Sequence, residues 1–199
     1  MTGGRHKQQK MKKLEIVGYK RETLGTKSAK DLRNDSLAPC VLYGGKAQVH
    51  FAVPMILFRE LLYSPEVYEV ILNIEGEIHH AILQDATFHP VNEMILNVDF
   101  LEIQEGKDVR IEIPIKIVGT SPGVLKGGKT VQKLRKLKIK GPISAIPEFI
   151  TGDITGLELG QTLKVSKLSV PGCEILVGGS NPVATIDIPR ALRGKLTND

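Results

Sequence analysis

Gln84 and Asp85, followed closely by His89, and then Asn97 and Asp99 two residues apart, are the side chains whose types could do directed chemistry. Together they offer amide donors, carboxylate acceptors and an imidazole that can act either way. Such a set suits the reading of a base edge or a sugar hydroxyl, where a point charge does not discriminate. The plainer reading is a solvated sheet face, and composition by itself favours that one. Nucleophilic catalysis is poorly served. Ser180 follows two glycines, but Gly178-Gly179-Ser180-Asn181 reads as a hairpin turn. Gly123 to Thr130 spells the G-x-x-x-x-G-K-T of a phosphate-cradling loop, but no strand runs directly into it, so a nucleotide site is not expected. His79 and His80 are neighbours on an expected strand, so they point to opposite faces and cannot share an ion. Cys40 and Cys173 are far apart and lack C-x-x-C spacing, which argues against zinc and reads as buried free thiols. No metal and no cofactor is expected, and free thiols fit a reducing cytoplasm.

The cations fall into two groups. The first is Lys20, Arg21, Lys27, Lys30, Arg33 and Lys46, interrupted by Glu22, Asp31 and Asp35. The second runs from Lys126 to Lys140, with Lys129, Lys133, Arg135, Lys136 and Lys138 between and no acid. Either run could be no more than a solvated face. The net charge of +5 is modest for 199 residues, but its distribution is uneven. Residues 47–103 carry one basic and nine acidic side chains, and residues 12–103 carry nine against thirteen. An acidic body discourages general contact with phosphates. Contact with a polyanion would then be confined to the basic arm and the sheet face beside it.

Strands must position these groups. Hydrophobic residues reach 41%, enough for a globular chain, while Trp is absent and aromatics are only 5%. A core of Ile, Val and Leu follows, and these favour strands. Alternation marks strands from Leu14 to Tyr19, at Cys40-Val41-Leu42-Tyr43, over Val49-Phe51-Val53, and from Ile95 to Ile103. Tyr68 to Ile74 and Ile78 to Thr87 form a hairpin around Glu75-Gly76-Glu77. Thr26 to Arg33 reads as a short helix with Ala29 and Leu32 inward and Lys27, Lys30 and Arg33 on an exposed face. A helix is also expected from Pro54 through Tyr63. Beyond Gln104-Glu105-Gly106-Lys107 the pattern is nearly all short strands with Gly/Pro turns. The fold class is therefore mainly β with a few short helices, and the C-terminal part is an all-β roll or sandwich. The expected divisions are a disordered basic tail over 1–11, the first domain over 12–104, the second over 105–190 and a frayed tail over 191–199. No apolar run approaches membrane-spanning length, and no secretory signal pattern opens the chain.

Ordered motifs then carry a resemblance. Arg21-x-x-x-Gly25 leads to Lys30-x-Leu32-Arg33 and Pro39-Cys40-Val41-Leu42-Tyr43-Gly44-Gly45. Gln84-Asp85, His89-Pro90-Val91 and Asn97-Val98-Asp99-Phe100-Leu101 follow. Further on stand Ile113-Pro114-Ile115, Gly119-x-x-Pro122-Gly123-Val124, Gly127-Gly128, Leu157-x-Leu159-Gly160-Gln161-Thr162 and Val165-x-x-Leu168. In order and spacing, over about residues 12–189, the chain resembles the bacterial large-subunit ribosomal protein twenty-five family in its two-domain form, the general stress protein Ctc family. The resemblance implies a barrel that binds 5S rRNA within the central protuberance of the large ribosomal subunit, no catalysis, and a cytoplasmic, ribosomal location. It implies that Arg21, Lys27, Lys30 and Arg33 hold phosphates, that Lys20 and Lys46 of the same arm also meet the RNA, and that Tyr43 meets a sugar or stacks near the minor groove. Gln84, Asp85, His89, Asn97 and Asp99 would make the polar contacts. The second domain would meet another large-subunit component, such as a neighbouring ribosomal protein.

This sequence departs from the family pattern at three places. Asp31 stands where a basic residue is usual, Phe88 where a basic residue commonly precedes the His-Pro pair, and Asn97 where histidine is common. Fewer phosphate contacts and a shallower salt dependence follow. Two alternatives stand beside this reading: a stress-induced factor binding the same RNA on the ribosome, and an enzyme with an unrecognised β-barrel active site, which would need a deep pocket with convergent polar groups.

Overall fold

The computed structural model describes residues 11–45, 47–104 and 106–189. Lys46 and the two expected tails, apart from Met11, lie outside the described residues. The chain divides into two compact units between Val109 and Arg110.

Alternation builds the first unit. In β1 (Lys12–Lys20), Ile16 and Gly18 turn inward while Glu15, Val17 and Tyr19 face out. Gly18 is small because Phe51 fills the space beside it, 2.7 Å from where a Cβ would stand. Helix α1 (Thr26–Asn34) comes next, then β2 (Leu37–Tyr43), which buries Ala38, Cys40 and Leu42, and β3 (Val49–Pro54), which buries Phe51 and Val53. The single helix expected from Pro54 is corrected. Pro54 is the last residue of β3, paired with Leu37. The chain then winds a 3-10 turn over Met55–Phe58 before α2 (Arg59–Tyr63). Phe58 and Leu61, three apart, are the anchors this stretch buries.

Strands β4 (Tyr68–Ile74) and β5 (Glu77–Phe88) join through Glu75-Gly76, both at positive φ (52° and 96°). That is the two-residue turn whose twist matches a hairpin. β6 (Ile95–Glu102) completes the set. The strand order β1-β3-β2-β6-β5-β4 closes into a barrel through a parallel pairing of β1 with β4, from Lys12 opposite Tyr68 to Gly18 opposite Ile74. Closure removes the free edges that an open sheet exposes. Aliphatic side chains fill most of the interior, but Phe100 lies at its centre, 6.0 Å from the Phe51 ring and 6.3 Å from the Phe58 ring. Three of the five phenylalanines thus meet in the barrel interior.

The second unit is built from β7 (Asp108–Val118), α3 (Pro122–Leu125), β8 (Lys129–Gln132), β9 (Lys136–Pro142), β10 (Ile150–Asp153), β11 (Thr162–Lys164), β12 (Glu174–Ile175) and β13 (Pro182–Asp187). These form a four-stranded sheet, β10-β7-β9-β12, and a three-stranded sheet, β11-β13-β8. Ile113, Leu137, Ile139, Val183 and Ile186 are fully buried between them. The alternation Lys136-Leu137-Lys138-Ile139-Lys140 turns the leucine and isoleucine inward and the lysines to the other face. Lys138 meets Glu112 there at 3.4 Å. Among the described residues no helix is long and apolar enough to cross a membrane.

Candidate nucleic-acid interface

On β6, Val98 and Phe100 enter the core, so alternation sends Asn97 and Asp99 to the outer face. β2 lies parallel on one side, with Val41 opposite Asp99 and Tyr43 opposite Leu101. β5 lies antiparallel on the other, with Asp85 opposite Asp99 and Thr87 opposite Asn97. Val41, Asp99 and Asp85 therefore form one row across three strands. Gln84 joins through an irregularity: the register slips between Leu83 and Asp85. A bulge of this kind lets two consecutive residues stay on the solvent side, and Gln84 and Asp85 are both exposed. Val41 and Thr87 complete the surface and carried no signal of their own, because strand register decides their place.

The row is electrostatically unusual. Two carboxylates directly opposite across a strand pair repel each other, which is unfavourable for folding. Each is partly held: the Asn97 amide donates to Asp99, and the Ala86 N–H donates to Asp85 Oδ1 at 2.9 Å. Burial and the nearby charges of Asp99 and Asp85 raise the Tyr43 phenol above its ordinary value. Tyr43 thus remains a neutral hydroxyl beside two acceptors. His89 serves the adjoining turn. Its Nδ1 accepts from the Val91 and Asn92 N–H groups at 3.3 and 3.4 Å, which places the proton of the neutral ring on Nε2. The turn closes through His89 N–H to Met94 O at 2.8 Å.

The arm does not behave as one charged face. Lys20 stands exposed at the end of β1, and Lys27 and Lys30 stand exposed on α1. Arg21 is half-buried, its backbone N–H bonded to His50 O at 2.9 Å and its Nε without a partner among the described residues. Arg33, expected beside Lys27 and Lys30 in solvent, is half-buried, and its Nε donates to Leu96 O on β6 at 3.1 Å. The reason is helical drift. Each three-residue step falls about 60° short of a full turn, so Arg33 lies about 120° around from Lys27. Arg33 therefore ties α1 to the strand that carries Asn97 and Asp99.

His79 and His80 point to different neighbours, Glu102 at 2.8 Å and Glu69 at 2.9 Å. Among the described residues no group of three or more His, Cys, Asp or Glu side chains is placed to hold a metal ion. A groove of about 540 Å³ lies between β1 and α2, lined by Leu14, Ile56, Leu57, Tyr63 and the charged Glu15, Arg59 and Glu60. It is three strands from β6 in either direction around the barrel.

Comparison with known proteins assigns both units. The Ribosomal L25p family matches residues 16–100, and the family described as ribosomal protein TL5, C-terminal domain, matches residues 108–190. The chain is 49% identical over 183 residues to the large ribosomal subunit protein bL25 of Cytophaga hutchinsonii, covering 92% of this chain and 95% of that one. It is 48% identical to the protein of the same name from Amoebophilus asiaticus, over 92% and 93% of the two chains. The corresponding protein of Phocaeicola vulgatus is 42% identical, over 92% and 96%. The chain belongs to the bacterial bL25 family of large-subunit ribosomal proteins, in the form that joins an L25p domain to a TL5-type C-terminal domain.

Proposed function

We propose that the chain is a structural, non-catalytic constituent of the large ribosomal subunit that binds 5S rRNA through the outer face of β2, β6 and β5, as part of the central protuberance. The observation that carries this reading is the row across three strands, with Tyr43 on one side and Gln84 at the bulge. An A-form helix hides its base edges in a deep major groove and displays them, with its 2′-hydroxyls, in a wide and shallow minor groove. A barrel face is broad enough to lie on such a surface. Asp85 and Asp99 supply acceptors for hydroxyl and amino groups; Tyr43, Gln84, Asn97 and His89 supply donors. Lys20, Lys27 and Lys30 supply phosphate contacts at the margin, with Arg33 and Arg21 beside them and Lys46 after the glycine turn. The residues from 105 to 190 serve as a second domain, directed to a neighbouring large-subunit component.

The test is equilibrium binding of the full chain to transcribed 5S rRNA with transfer RNA as competitor. A well-placed polar contact discriminates by roughly 1–3 kcal/mol. Asp85→Ala is therefore expected to weaken 5S rRNA binding by about tenfold. The same change removes a repulsive charge, so binding to transfer RNA holds or strengthens. Equal strengthening on both RNAs would show that the carboxylate row only repels.

A further inference from the structure

Two glycines follow Tyr43, and an RNA-facing surface does not by itself explain both. Gly44 has φ 94°, and a Cβ there would stand 2.6 Å from the Leu101 side chain. Gly45 is different: its φ lies outside the positive region, so backbone conformation does not demand glycine. Instead the carboxylate of Glu102 occupies the space its Cβ would need.

That carboxylate is not a loose surface group. Glu102 is 23% exposed, and its Oε1 lies 2.8 Å from Nδ1 of His79, itself 20% exposed. His79 sits opposite the core residue Leu72 in the β4–β5 pairing. Two residues beyond Glu102, the Gln104 side-chain amide donates to the Gly44 carbonyl at 2.7 Å. The end of β6 and its continuation thus meet the turn with three side chains: Leu101 against Gly44, Glu102 against Gly45, and Gln104 on the Gly44 oxygen. A carboxylate beside an RNA-facing turn repels phosphate, so its presence calls for a compensating role.

We infer that His79, Glu102 and Gln104 are positioning residues for the RNA grip: they fix the Gly44–Gly45 turn and, through it, hold Tyr43 against the Asp85–Asp99 row. This rests on the RNA-binding reading of that row. The brace stands on the side where a Cβ of Gly44 or Gly45 would lie, and leaves the opposite side of the turn to a ligand backbone. It also removes the ordering that the turn would otherwise undergo on binding.

The test is affinity of the full chain for transcribed 5S rRNA, read together with thermal unfolding of each variant. Glu102→Ala and His79→Ala are each expected to weaken binding about fivefold, and the double variant no more than either, because the pair acts as a unit. Glu102→Gln keeps a hydrogen-bonding partner for His79 and stays within about twofold of the parent. The salt slope is unchanged, because no phosphate contact is removed. In a Tyr43→Ala background, Glu102→Ala adds less than about twofold. Gln104→Ala repeats the pattern without touching the half-buried pair, and serves if Glu102→Ala fails to fold. Full additivity with Tyr43→Ala, or parental affinity for both Glu102→Ala and Gln104→Ala, overturns the inference alone. Parental affinity for Tyr43→Ala itself overturns the reading of the row as well.

Discussion

Phe100 is the residue on which the barrel most depends, because both other core phenylalanines, Phe51 and Phe58, pack against it. Replacing it with alanine leaves a cavity that a closed barrel cannot collapse into. Phe100→Ala is expected to destabilise the first unit by about 3–5 kcal/mol in urea unfolding. A loss below about 1 kcal/mol would mean that the interior relaxes far more than its packing implies. Cys40 makes a second residue-level claim. Burial pushes its thiol far above the ordinary value, with Arg21 opposing and Asp99 adding to the effect. The native thiol therefore stays protonated where the thiol of the unfolded chain starts to ionise, near pH 8.5. Because the native state then binds the extra proton, this group's contribution to stability is intact below that pH and declines as pH rises above it. With a thiol reagent at about pH 8, the half-buried Cys173 should react first, and Cys40 only as fast as the protein unfolds. Rapid modification of both in the native state would contradict the burial of Cys40.

At the scale of elements, α1 is held to the barrel through Arg33 and the Leu96 carbonyl. Arg33→Ala is expected to lower stability by about 1 kcal/mol as well as weaken RNA binding, whereas Lys30→Ala weakens binding alone. Equal stability losses for the two would show that the Leu96 contact contributes nothing particular. The β4–β5 hairpin was plain in the sequence because Val70, Leu72 and Ile74 alternate up to a glycine turn, a local pattern that tertiary context only reinforces. The shared face of Asn97 and Asp99 was legible for the same reason, since period two is a property of any strand. Other features had no local signature. The bulge at Gln84 sets two polar residues side by side between Leu83 and Ala86, and only the pairing with β6 shows which of them is the extra one. Arg33 reads as one more surface cation until β6 is placed beside it. Pro54 satisfies the rules for a helix start, yet pairing with Leu37 keeps it in β3. The space taken from Gly45 belongs to a side chain 57 positions away, Glu102. Parallel closure of β1 on β4 is likewise a long-range outcome that no short window contains.

For the molecule as a whole, charge and shape divide the work. The first unit is acidic over most of its length, and among the described residues of its arm only the cations Lys20, Lys27 and Lys30 are exposed. With Asp31 among them, few phosphates are neutralised. The logarithm of affinity should fall with the logarithm of salt at a slope no steeper than about −4. A slope near −8 would contradict this, because it needs about nine neutralised phosphates. Affinity that survives salt must come from directed polar contacts, and that is the central claim about the β2–β6–β5 face. Hydroxyl-radical footprinting of the full chain on isolated 5S rRNA tests it most directly, with Arg33→Ala and Gln84→Ala alongside. The account predicts protection of sugars along the minor groove of one helical segment, thinned locally by Gln84→Ala and weakened along the whole segment by Arg33→Ala. Protection left unchanged in both variants would contradict it.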